Sequence, residues 1–153
     1  MKESIKMPKV IFYMIVAMCA TIIMANSIET MMKVKDNGLF NLWLSDSQKN
    51  MNIMGQTTEQ LYSTYLTMCL STFFIRVIAP MALAIHSYFT YMKRGVNGLF
   101  IFIWTVLILG SAGFMIISEG LYSIFFIINI LAYIILVICI LCMIKFIKYR
   151  KNL

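Results

Sequence analysis

Polar and apolar positions along the chain fall into long blocks rather than short alternations. Runs free of Asp, Glu, Lys and Arg occupy 10–28, 61–92 with Arg76 as the single interruption, 95–118 and 120–144. A helix needs roughly 20 apolar residues to cross the hydrocarbon of a bilayer, and the four runs meet that length. An open strand or loop in lipid would leave backbone N–H and C=O groups without partners, so the runs are expected to be helical. A membrane barrel would need strands of about ten residues with alternating polarity, and the stretch 124–144 shows no alternation. The pattern therefore predicts an all-α integral membrane protein, one four-span domain over 1–153, with spans near 10–28, 67–92, 97–118 and 121–144.

The connections carry their own signals. The stretch 33–60 is the long one, and it is expected to be external. Asn37-Gly38 reads as a turn pair, after which Leu39, Phe40, Leu42, Trp43 and Leu44 cluster before Asp46. A short piece rich in leucine and aromatic residues suits a helix lying in the membrane interface. Phe40 and Trp43 are the expected contact residues of this loop, with the interface or with a partner. Thr57-Thr58-Glu59-Gln60 forms a capping box in sequence and predicts a helix start before Leu61. Gly95 and Gly98, and then Ser118-Glu119-Gly120, mark tight turns. Connections this short make the last three spans antiparallel neighbours, with the first span filling the remaining side of a four-helix bundle. Gly110, Ser111, Ala112 and Gly113 are expected to let another helix approach closely.

Composition sharpens the picture. Apolar residues make up 61% of the chain and charged residues 12%, against roughly 45–50% and about 25% in soluble domains, which excludes a water-soluble fold. Lys and Arg total 13 against six acidic residues, a net charge of +7. Nine of the cations, Lys2, Lys6, Lys9, Lys93, Arg94, Lys145, Lys148, Arg150 and Lys151, flank the spans on one side, and Lys33, Lys35 and Lys49 lie on the other. Positive flanks stay in the cytoplasm, so both termini are expected there. The charge is then a topology signal with attraction to anionic lipid, and no nucleic-acid partner is needed to explain it. The first run shares a basic start and small residues at 25–27 with secretory signals. Its uncharged length and the three spans that follow favour an uncleaved first helix. Ten Lys against three Arg, with abundant Ile, point to an AT-rich bacterial genome and to the plasma (inner) membrane.

Candidate chemistry is sparse. Arg76 lies 16 positions before Met92, roughly 24 Å along a helix, and so within the outer half of the membrane, where a charge costs a few kcal/mol without a partner or a route to the headgroups. Glu29 and Glu119 end neighbouring spans, and Asn26 and Asn129 fall at similar depth, so an intramembrane polar cluster of Arg76, Glu119, Glu29, Asn26 and Asn129 is expected. Its two readings are a structural staple and a functional centre. Pro80, four residues after Arg76, removes an N–H from the helix ladder and is a candidate hinge. His86, about 80° around the helix from Arg76, is a candidate relay.

Cys19, Cys69, Cys139 and Cys142 fall inside or at the edges of spans, so Cys139-x-x-Cys142 reads as two small apolar residues rather than a redox pair. Fourteen Met residues, among them Met14, Met18, Met51 and Met54, lack the Met-x-Met or Cys/His-rich tracts of copper handling. No phosphate-cradling glycine loop, metal-binding His-Glu pair or nucleophile elbow occurs, and no catalytic residue, metal or cofactor is expected. Two functions fit. The first is a non-enzymatic accessory, interaction or protective (immunity-like) component, with the lipid bilayer and another membrane protein or a second copy as partners. The alternative is a small channel or transporter subunit with a polar route near Arg76 and His86.

Overall fold

The computed structural model describes residues 6–50, 57–118 and 123–151. Five helices account for them, α1 (Lys9–Lys35), α2 (Asn37–Asn50), α3 (Thr58–Phe89), α4 (Gly98–Ser118) and α5 (Ile124–Lys151), with a π turn at Thr90–Arg94. Among the described residues there is no strand. Four of the helices, all but α2, are long and apolar enough to cross a membrane.

Helix ends follow local chemistry more than hydropathy. α1 continues seven residues past the expected span end at 28, and α3 starts well before 67, because a charge unwelcome in lipid does not stop a helix whose backbone bonds are intact. Asp36 is the break. Its backbone is extended, and its Oδ1 accepts hydrogen bonds from Gly38 N at 2.8 Å and Leu39 N at 3.3 Å. Asn37-Gly38, expected as a turn, is therefore the first turn of α2, capped by the acidic residue before it. The capping box of α3 forms, with Gln60 N donating to Thr57 Oγ1 at 3.4 Å and Thr57 N to Gln60 Oε1 at 3.0 Å. α3 then runs unbroken through Pro80, whose ring is buried. The π turn that follows it closes at Gly95, which adopts φ 66° and donates its N–H to Thr90 O at 2.9 Å. That left-handed conformation suits glycine, since a Cβ would strain it. Asn97 caps α4 through its Oδ1, 2.8 Å from Phe100 N.

α1 is the hub. It packs against α3 on one side and α5 on the other, while α4 touches α3 and α5. Its inward stripe, Phe12, Ile15, Cys19, Ile22, Ala25, Asn26 and Glu29, recurs at three- and four-residue steps, the period that keeps side chains on one helix face. Ile15 and Ile22 meet Leu83, Ile108, Leu136 and Ile140 in one continuous core. The outward faces are as apolar as the core. Phe102 is 67% exposed and Ile117 87% exposed, an arrangement that lipid tolerates and water does not. In lipid the inward preference therefore comes from side-chain fit and hydrogen bonds rather than from hydrophobicity.

One expectation about packing is corrected. Gly110 and Gly113 do not mark a close helix crossing within the chain, since a Cβ built on either meets nothing within 4 Å. Of that small-residue stretch, Ala112 packs against the core. Cys139 turns into the core, Cys142 faces outward, and both are free thiols, as are Cys19 and Cys69.

Candidate functional site

The polar residues of the spans gather on α1. Asn26 and Glu29 stand three positions apart, so they share a side of the helix but point to different neighbours. Asn26 faces α5, where its Nδ2 donates to Asn129 Oδ1 at 3.3 Å, and it also donates to its own helix at Ile22 O, 2.7 Å away. Both Asn side chains are buried, and Asn26 Oδ1 and Asn129 Nδ2 have no hydrogen-bond partner among the described residues. Glu29 faces α3. Its Oε2 lies 3.4 Å from Arg76 Nη1, and its Oε1 pairs with Lys33 one turn further along α1. Glu29 is 4% exposed and Arg76 5% exposed, whereas the Lys33 side chain is 37% exposed.

Helix α1 thus joins α5 by a neutral amide contact and α3 by an ion pair, within one helical turn. The ion pair solves the problem that Arg76 poses, because a buried guanidinium needs an acceptor with negative charge. Lys33 had no place in the expected cluster. Its signal was the Glu29-x-x-x-Lys33 spacing, which aligns the two on one helix face. Glu119, also expected in the cluster, lies outside the described residues, as do Met51 and Met54.

His86 belongs to a different environment. It faces α4, where Trp104 Nε1 donates to its Nδ1 at 3.0 Å and Phe100 meets its ring edge-on with centroids 5.0 Å apart. A ring that accepts at Nδ1 carries its hydrogen on Nε2. Trp104 is buried, and a buried indole N–H requires an acceptor, which was the readable signal for this pair. Arg76 turns to α1 and His86 to α4, so the structure does not bring them together.

The end of the molecule carrying α2 holds an aromatic clamp. Tyr65 and Tyr62 of α3 donate their hydroxyls to Lys33 O at 3.0 Å and Val34 O at 3.3 Å. These are carbonyls in the last turn of α1 that no helical N–H reaches. Phe40 of α2 is buried over them, edge-on to Tyr62 and Tyr65 with centroids 5.2 and 5.5 Å away, and Trp43 packs on Tyr65 at 5.5 Å. Phe40 and Trp43 therefore hold α2 to α3. Among the described residues, the apolar side chains that α2 leaves exposed are Leu39 and Leu42, the latter 66% exposed.

Among the described residues no group of three or more His, Cys, Asp or Glu side chains is arranged to hold a metal ion. Scans against protein-family models, curated proteins and solved structures found no match to this chain.

Proposed function

We propose that the chain is a non-enzymatic component of a bacterial plasma membrane that acts through contacts at the end carrying α2, as an accessory or protective (immunity-like) protein. The observation that supports this reading is the aromatic clamp. Helix α2, which is not among the four long apolar helices, is tied down by Tyr62, Tyr65, Phe40 and Trp43 while Leu42 stays open. A rigid helix presenting an apolar side chain gives a partner a surface whose ordering cost is already met. In this reading the four long helices form an antiparallel bundle with both termini in the cytoplasm, supported by nine Lys and Arg residues on that side against three on the other. The transport alternative draws less support, since Arg76 and His86 face different helices.

The test is site-specific crosslinking in native membranes from a photoreactive residue at Leu42, with Ser47→Cys labelled from outside in intact cells. A discrete protein adduct at Leu42 and external labelling at Ser47 are expected. Adducts with lipid alone would leave α2 as a membrane-resting helix and refute the interaction reading; protected Ser47→Cys would reverse the orientation.

A further inference from the structure

A cavity of about 180 Å³ lies where the end of α3 and its π turn meet the start of α4, at the opposite end of the bundle from α2. Three polar side chains line it, His86 of α3, Thr90 of the π turn and Asn97 just before α4. His86 Nδ1 accepts from Trp104, and Asn97 Oδ1 accepts from Phe100 N. The Nε2–H of the first and the Nδ2 of the second have no partner among the described residues. Thr90 is 2% exposed, and its hydroxyl makes no hydrogen bond to any described residue. The more exposed Thr64 and Thr67 of α3 do bond, each to the carbonyl four residues back. Leu99, also at the wall, belongs to the first turn of α4, whose leading N–H groups have no helical carbonyl to reach. The cavity thus gathers donors, and no Asp or Glu lines it. The described carboxylates, Glu29, Asp36, Asp46 and Glu59, lie toward the α2 end. His86 precedes Met92 by six positions and Thr90 by two, roughly 9 and 3 Å along the chain, which sets the cavity where hydrocarbon gives way to headgroups. Leu99 and Ile103 are exposed, so the cavity opens sideways onto apolar surface.

We propose that this cavity seats the phosphodiester of a bilayer phospholipid, with an acyl chain lying along Leu99 and Ile103. A phosphodiester offers acceptor oxygens and no hydrogens, the complement of His86 Nε2–H, Asn97 Nδ2 and the first turn of α4. The Thr90 hydroxyl donates as well, which removes the cost of leaving a buried polar group without a partner. The match is one of donors to acceptors and holds without a net charge on the wall. A soluble phosphodiester has no acyl chain and gains nothing from Leu99 and Ile103. Bound there, the lipid bridges the π turn to the start of α4. The site lies apart from α2 and does not rest on the role given to that helix.

The experiment is native mass spectrometry of the delipidated full chain in detergent, which reads the affinity of the first bound lipid. Phosphatidylcholine should bind about tenfold more tightly, or better, than diacylglycerol of identical acyl chains, which lacks the phosphodiester. Thr90→Val keeps the side-chain shape without the hydroxyl and should weaken phosphatidylcholine about tenfold, the worth of one hydrogen bond to a charged group. Asn97→Asp keeps a cap for α4 while replacing the donor by a carboxylate, and should weaken it by at least as much. Ser63→Asp, at an exposed position near the start of α3, should change nothing. Glycerophosphocholine, the headgroup without acyl chains, should not displace the lipid at the same concentration. Equal binding of diacylglycerol, an unchanged affinity in either cavity variant, or an equal loss with Ser63→Asp would overturn the proposal. Displacement by glycerophosphocholine would also overturn it and assign the cavity to a soluble phosphodiester.

Discussion

Replacing Glu29 by Gln should destabilise the protein more than replacing Arg76, although the two form one pair. At 3.4 Å, two unit charges in surroundings of effective dielectric about 20 attract by about 5 kcal/mol. The partners are not equivalent, however. Glu29→Gln leaves two cations, one of them 5% exposed, facing a neutral amide. Breaks of that kind cost about 3–5 kcal/mol when the remaining charge is buried. Arg76→Leu leaves Glu29 still paired with Lys33, so its loss should be about 1.5–3 kcal/mol, the worth of a hydrogen bond to a charged group. Lys33→Gln, at a side chain more than a third exposed, should cost about 1 kcal/mol or less. The double variant Glu29→Gln with Arg76→Leu removes the buried cation together with its carboxylate and should recover much of the single Glu29→Gln loss. The assay is a double-mutant cycle on unfolding free energies from SDS titration in bicelles. If the two losses add within about 0.5 kcal/mol, or if Glu29→Gln costs no more than Lys33→Gln, the ion pair does not hold α1 to α3 as argued.

Two further outcomes follow from the same geometry. In a cycle of Asn26→Leu with Asn129→Leu, the coupling should be small, about 0.6 kcal/mol as is usual for hydrogen bonds between membrane helices. Because each amide keeps a buried atom unsatisfied, the double variant should unfold within about 1 kcal/mol of the unmodified protein, and a loss beyond about 2 kcal/mol would show that the pair does more than fill space. For the Trp104 contact, solid-state ¹⁵N spectra of His86 should show Nδ1 without a hydrogen and Nε2 with one, and Trp104→Phe should move the Nδ1 resonance. A hydrogen on Nδ1 in the unmodified chain would contradict the bond from Trp104.

By itself the amino-acid sequence determined that four segments are long and apolar enough to cross a membrane, because lipid tolerates few charges and no unpaired backbone, and both constraints are written in composition and run length. The capping box at Thr57 and Gln60 was equally local: both partners sit within one turn. Depth along each helix is also a matter of counting, which is how Asn26, Glu29, Arg76 and Asn129 could be set at similar heights. Which of them meet is another question. A helix presents its residues at 100° intervals, and only the rotation of each helix against its neighbours decides whether Asn26 faces Asn129 or Arg76, and whether His86 faces the polar cluster or Trp104.

Rotation is weakly encoded here because the lipid-facing and inward faces are both apolar, so the amphipathic stripe that orients helices in water is missing. The same reason hid the role of α2. Phe40 and Trp43 are the residues that composition offers as exposed contacts. Only the hydroxyls of Tyr62 and Tyr65, reaching carbonyls at the end of α1 about thirty residues away in sequence, turn those rings inward and leave Leu42 outside. Gly110 and Gly113 show the limit from the other direction, for a small residue permits close approach but cannot say which helix comes.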